Sequence, residues 1–325
     1  MIRDASPKSK AHRGTLDTCD APRPVPSMSH VFTVGEAGAP RLEAFVRACM
    51  PGLSRRLVRA LIVEGLVQVN GRPARKGTRL APGDRVSVPA PGGLAPEPDL
   101  PVGIVYEDAA LVALDKPGGM PGHALDPRER GTVAAFVLAR YPETAAVGAP
   151  LAPGLVHRLD TGTSGLVLVA RAASDYEALR AAFRAKEVEK RYLAIVAGTL
   201  TGCHRIDQPL AHDPSDRRRM RSAVPGERAW RAVTEVEPVR PYGRATFARV
   251  TIRTGVTHQI RAHLAALGHP VLGDLVYGGP PVGLMPGHHA LHAAGLGLAH
   301  PRTGQPLALS APLPDDFEAL LRTLG

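Results

Sequence analysis

Three cysteines in 325 residues, Cys19, Cys49 and Cys203, are too few and too widely spaced for a disulfide scaffold or a cysteine-based zinc site. No run of eighteen apolar residues occurs, so the sequence offers no membrane-spanning helix. The first thirty residues set Asp4, Asp17 and Asp20 among basic residues and prolines and lack the apolar core of a signal peptide. A cytoplasmic, monomeric protein with no membrane partner is expected. There is no convincing nucleotide-binding loop, and His288, His289, His292 and His300 cluster without an acidic or cysteine set at metal-ligand spacing, so neither a cofactor nor a metal is expected. Trp230 is the only tryptophan, and packing against a sheet suits it better than stacking on a nucleobase.

What is present is positive charge in one place. The formal charge is +10, and residues 31–90 alone hold 10 basic against 4 acidic side chains. Residues 91–325, nearly four times as long, hold 25 against 23. A polyanion is the natural partner of such a segment, because its cations displace condensed counterions from phosphates. A general solubilising bias is the plainer alternative. With 44% hydrophobic and 22% charged residues, the length suits a soluble protein with one large domain and one small one.

Residues 1–30 have prolines at 7, 22, 24 and 26 and no apolar period, which predicts a disordered arm. In residues 31–90, Leu42, Phe45, Val46 and Cys49 recur at helical spacing. Ser54 then caps a second helix that turns Leu57, Leu61 and Ile62 inward and Arg55, Arg56 and Arg59 outward. Gly65 stops it, a strand runs into the Asn70-Gly71 turn, and another strand starts at Arg85. Residues 91–102 hold four prolines and read as a stiff linker to a larger domain over 103–325.

The larger domain is organised around residues 154–170, GLVHRLDTGTSGLVLVA. The unbroken apolar run 166–170 predicts a strand buried on both faces, and the loop before it packs His157, Arg158, Asp160, Thr161, Thr163 and Ser164 between glycines. Such a loop can present Asp160 to a cleft while Leu159 anchors it. The same residues also fit a tight turn in which Asp160 caps backbone N–H groups and Arg158 pairs with it at the surface. Further on, Ser174 to Glu177 has the spacing of a capping box, and a strand over 190–196 carries Tyr192 at its entrance. Arg217, Arg218, Arg219 and Arg221 crowd one turn-rich loop, as a phosphate contact or a solvated hairpin tip would. A strand over 245–252 precedes a helix carrying His258, Gln259, Arg261 and His263, and a short helix ends the chain.

The segment HRLDTGTSGL, residues 157–166, resembles the catalytic motif of the RluA-type pseudouridine synthases. DKPGG at 115–119, KRYL at 190–193 and THQIRAHL at 257–264 resemble that family's other motifs in the right order, and together the likeness covers roughly residues 103–310. The resemblance implies an α+β catalytic domain built on a mixed, largely antiparallel central sheet. PGLSRR at 51–56 with VNG at 69–71 resembles an S4 RNA-binding domain, so a small S4-like α/β domain precedes it. The implied reaction detaches uracil from its ribose at N1 and rejoins it through C5, in RNA. Asp160 is then the catalytic residue, Tyr192 lies against the target base, and Arg261 is the basic partner that can hold the Asp160 carboxylate through two hydrogen bonds. His157, Arg158, Thr163 and Leu291 support the site. Arg55, Arg56, Arg59, Lys116, Arg217, Arg218, Arg219, Arg221, His258 and Gln259 are the expected RNA contacts. Large-subunit ribosomal RNA is the expected partner, with tRNA as an alternative. A noncatalytic RNA-binding or assembly protein and a metal-dependent RNA hydrolase are the rival readings. Two departures from the family pattern stand out: Met120-Pro121-Gly122 in the 116–123 loop, and Val256 where an arginine is common.

Overall fold

Apolar periodicity resolves into two structural units in the computed structural model, which describes residues 29–36, 40–51, 53–90, 92–283 and 285–325. The arm expected over residues 1–30 lies outside them except for its last two residues. The chain divides between residues 90 and 91.

The first unit runs β1 (Ser29–Thr33), α1 (Leu42–Cys49), α2 (Arg55–Val63), β2 (Gln68–Val69), β3 (Arg72–Pro73) and β4 (Arg85–Pro89). Its antiparallel sheet has the order β1-β4-β2-β3. The Ser54 hydroxyl accepts the Leu57 N–H at 3.1 Å. That satisfies an orphan donor in the first turn of α2, an effect of about 1 kcal/mol. Leu57, Val58, Leu61 and Ile62 share a core with Leu42 and Val46 of α1 and Val86 and Val88 of β4. Arg55, Arg56 and Arg59 are left exposed by that arrangement.

In the second unit the elements are β5 (Gly103–Glu107), β6 (Leu111–Lys116), α3 (Val133–Arg140), a 3-10 turn at Pro142–Ala146, β7 (Gly148–Ala149), β8 (Ala152–Pro153), β9 (Ser164–Ala170), α4 (Ala173–Ala185), β10 (Glu189–Ala197), β11 (His204–Asp207), β12 (Leu210–His212), β13 (Met220–Ser222), β14 (Val233–Pro241), β15 (Ala245–Ile252), α5 (Gln259–Ala266), β16 (Leu291–Ala299), β17 (Pro306–Ser310) and α6 (Asp315–Leu324). Nine strands make the central sheet, in the order β11-β14-β15-β10-β16-β9-β6-β5, with β17 also paired to β16. Every pairing in it is antiparallel except β9 with β16. The unbroken run in β9 follows from its central place. Val167 and Val169 enter a core with Phe136 and Val137 of α3, while Leu166, Leu168 and Ala170 enter another with Leu179 of α4. Burying such side chains stabilises the sheet by roughly 1.5–3 kcal/mol each.

Three sequence expectations need correction. Residues 92–102 are not a free linker: Leu94 and Val102 are buried in the α3 core and the Glu97 N–H bonds the Ala135 carbonyl at 3.0 Å. Ser174 is not a helix cap. α4 begins one residue before it, behind Ala172, and Asp175 is buried because Arg302 clamps both its oxygens at 2.8 and 2.6 Å. Trp230 does not pack into the sheet but lies 37% exposed, edge-on to His212 and under Arg228.

Candidate active site

The parallel pair explains where the site is. β9 and β16 start at the same end, with Ser164 opposite His292 and Gly165 opposite Ala293, so the loops leading into both strands meet there. Gly165 has φ of 105°, and a Cβ on it would collide with the Ala293 carbonyl oxygen; only glycine lets the two strands come this close. On the other side of β16, β10 pairs with a register shift between Arg191 and Leu193, and Tyr192 sits in that irregularity. β15 leads through residues 253–257 into α5, which carries Arg261 in its first turn.

These elements enclose a cavity of about 470 Å³ lined by Asp160, Tyr192, His258, Arg261 and Leu291 among others, a size usual for small-molecule sites. Asp160 Oδ2 accepts one hydrogen bond from Arg261 Nη1 at 2.8 Å, and Oδ1 accepts none among the described residues. One oxygen is therefore held and the other is open to a substrate. The expected two-bond grip of Arg261 on Asp160 is corrected: the guanidinium fork goes to Asp274, with Nε at 2.6 Å and Nη2 at 2.8 Å. Asp274 also accepts the Val276 and Tyr277 N–H groups, and Tyr277 lies under the guanidinium, 5.1 Å from ring centre. Burial opposes the Arg261 charge, and the Asp274 fork and the Asp160 charge outweigh it, raising its pKa.

Asp274 and Tyr277 escaped the sequence reading, although a carboxylate and a tyrosine framed by Gly273, Gly278 and Gly279 were a signal of a functional loop. Together they also hold His258. The Tyr277 oxygen accepts the Met220 N–H at 2.7 Å and lies 3.2 Å from His258 Nδ1. His258 Nε2 faces Asp160 Oδ2 from 3.8 Å. Burial pushes the His258 pKa down, keeping this ring neutral near pH 7. The residue has φ of 54°, a left-handed conformation that orients its side chain into the cavity from the start of α5.

Tyr192 is 8% exposed, lines the cavity, and its hydroxyl has no hydrogen-bond partner among the described residues. Burial and the Asp160 charge raise its pKa, so the phenol is protonated. Leu291 is a buried wall of the same cavity. Thr163 Oγ1 meets His289 Nε2 at 2.9 Å behind the Asp160 loop. His157 Nε2 accepts the Leu168 N–H at 3.0 Å, and burial and the Lys190 charge push its pKa down to about 3. Arg158 is exposed at the cavity mouth, bonded to Thr257 Oγ1 at 3.1 Å.

Several expected RNA contacts are placed elsewhere. Lys116 is 0% exposed, and its ammonium donates to the carbonyls of Pro117, Met120 and Thr161 at 2.8, 2.8 and 3.1 Å. It therefore ties the 117–120 loop to the Asp160 loop rather than reaching solvent, and burial pushes its pKa down to about 7. Lys116→Met is expected to lower kcat about 10- to 100-fold, through a displaced Asp160, and stability by about 1–3 kcal/mol, with RNA affinity kept. Single-turnover kinetics beside filter binding checks this, and a weakened affinity with intact kcat would restore the contact role. Gln259 is also buried, bonding Thr254, Val256, Val233 and Thr234 at the entry to α5. Val256, where an arginine is common, packs partly buried beside Tyr277.

The arginine loop is mostly spoken for. Arg218 forks onto Asp216, Arg221 onto Glu227, and Arg219 lies over the Tyr277 ring at 5.3 Å. Arg217 is exposed with no partner among the described residues. The histidines at 288, 289, 292 and 300 face four different partners, Asp316, Thr163, Ser164 and Asp108. Among the described residues no group of three or more histidine, cysteine or acidic side chains could hold a metal ion. In the first unit Arg55 and Arg59 line a concavity with Arg41, Arg47 and Lys76, and Arg56 lies outside it. Arg41, Arg47 and Lys76 were missed because they come from α1 and a loop, out of helical phase with α2.

Comparison with known proteins follows the same division. The family model for RNA pseudouridylate synthase matches residues 110–266 and that for the S4 domain matches residues 40–86. An uncharacterized RNA pseudouridine synthase of Chloroflexus aurantiacus is 41% identical over 88% of this chain and 90% of its own. The ribosomal large subunit pseudouridine synthase D of Neisseria meningitidis is 33% identical over 89% of this chain and 80% of its own. Among solved structures, human RNA pseudouridylate synthase domain containing 1 matches 72% of this chain and 97% of its own, with a TM-score of 0.54 and 23% identity, which is a likeness of fold.

Proposed function

Because this chain belongs to the RluA-type RNA pseudouridine synthases with an S4 domain, we propose that it isomerises specific uridines of large-subunit ribosomal RNA and that Asp160, Tyr192 and Arg261 carry the reaction. The observation behind the residue roles is the Asp160 carboxylate, held through one oxygen by Arg261 and open through the other to a cavity that also contains Tyr192. The Neisseria relative, a ribosomal large subunit pseudouridine synthase, supports the choice of RNA. A target uridine leaves its stack and enters this cavity, at a cost of roughly a few kcal/mol offset by contacts inside. The open Asp160 oxygen then attacks C1′ of the ribose or takes a sugar proton as the N1 bond breaks. The freed uracil turns and its C5 bonds C1′ as the C1′–Asp160 bond breaks, or as Asp160 returns the sugar proton. Because Tyr192 is protonated, its hydroxyl acts as a relay, receiving the C5 proton as it passes its own to water, and N1 takes up a proton in exchange. The concave basic surface of the first unit holds RNA phosphates without reading bases.

Mapping pseudouridine in total RNA from cells with and without the gene tests the substrate: loss of modified positions in large-subunit ribosomal RNA is expected, and loss confined to tRNA overturns that choice. Tyr192→Phe tests the relay. Its hydroxyl bonds nothing in the free protein, so folding stability should change by less than about 1 kcal/mol. Release of tritium from C5-labelled RNA should slow by roughly 10²-fold or more, as for loss of a proton-transfer group. A release rate equal to the parent's removes Tyr192 from the chemistry.

A further inference from the structure

The cavity that holds Asp160 has more positive charge than a uridine needs. Asp160 is the only carboxylate lining it among the described residues, while Arg158, Arg180, Arg184, Lys186, Lys190 and Arg261 also line it. Arg261 is neutralised by Asp274 and Asp160, and Lys190 is buried, donating to the carbonyls of Arg253 and Thr254. The other four cations have no carboxylate within ion-pair distance among the described residues. Arg180 bonds only the Val156 carbonyl at 3.1 Å, and Arg158 only the Thr257 hydroxyl. Arg184 and Lys186 are exposed at the end of α4, and their side chains have no hydrogen-bond partner among the described residues. The helix C-terminus presents a partial negative charge near both, equivalent to about half a charge, which cannot balance two.

Uracil and ribose are neutral, so four cations around one cavity without carboxylate partners answer to phosphates. Resting on the pseudouridine synthase reading, we propose that the end of α4 is a phosphate ledge: Arg184 and Lys186, with Arg158 and Arg180 nearer Asp160, hold the RNA backbone on one flank of the target nucleotide. The concave, partly desolvated wall concentrates their potential where a single strand enters the site. The ledge belongs to the second unit and acts beside the reacting nucleotide. It positions that nucleotide.

The test is the double variant Arg184→Gln, Lys186→Gly. Lys186 has φ of 62°, a conformation glycine adopts without strain, so the fold should survive, and a thermal unfolding curve checks that it does. Binding of a short fluorescent single-stranded oligouridylate is measured against salt. Losing two phosphate contacts should lower the slope of log affinity against log salt by about 1.4, and the charge-keeping variant Arg184→Lys, Lys186→Arg should restore it. Turnover of C5-tritiated transcript RNA should show the loss mainly in KM. An unchanged slope in the folded double variant overturns the ledge, as does a loss that the charge-keeping variant fails to restore. If the parent releases no tritium while the slope still falls, the reaction assignment fails and the ledge stands.

Discussion

Asp160→Asn should reduce turnover by roughly 10⁴-fold while leaving RNA affinity and folding nearly as they are. The amide keeps the volume of the carboxylate, and its oxygen still accepts the Arg261 Nη1–H, so the loop geometry persists. The oxygen facing the cavity loses the charge that either attack at C1′ or removal of a sugar proton requires. Tritium release from C5-labelled transcript RNA measures turnover, and filter binding of the same RNA measures affinity. Near-parental turnover in a folded variant would remove Asp160 from the reaction. Equal losses of affinity and turnover would make it a binding group.

The second large effect is expected at a residue away from the substrate. Asp274→Ala leaves the Arg261 guanidinium, 6% exposed, with Nε and Nη2 unpaired and its charge answered only by Asp160. Breaking a buried ion pair from one side costs about 3–5 kcal/mol, and a reoriented Arg261 no longer aims Asp160, so kcat should fall by about 10²-fold as well. Asp274→Asn keeps one acceptor oxygen and should lie between. Urea unfolding and single-turnover kinetics on the same preparations check both effects. Parental stability in Asp274→Ala would show that Arg261 is held by something else.

The same pair predicts a pH dependence. Burial pushes the Asp274 carboxyl upward, but the Arg261 hydrogen bonds and charge outweigh it, and its pKa lies below the ordinary carboxylate value. A depressed carboxyl contributes stability in full above its unfolded pKa, about 3.9, and loses it as pH falls through the folded value. Acid unfolding of the parent should therefore steepen below about pH 4, and the Asp274→Ala curve should approach the parent's there.

The sequence by itself determined the elements and the reaction class. β9, β15 and α2 were legible because an unbroken apolar run, apolar alternation, and helical spacing behind a capping serine act over a few residues. The Asp160 loop was legible because its glycines and hydroxyls are contiguous, and the order of four motifs pointed to one family. Which charges are spent on the protein itself was decided only by tertiary structure. Lys116, Gln259, Arg218 and Arg221 look like RNA contacts in a string of letters, yet two are buried on backbone and hydroxyl groups and two are neutralised by nearby acids. Arg261 is 101 residues from Asp160 in the chain, and its closest-held partner, Asp274, belongs to a loop whose glycine-framed pattern does not say which cation it meets. A charge is satisfied by whatever lies within a few ångströms in space, and the pairing of β9 with β16 brings together the loops that carry Asp160 and the residues before Leu291.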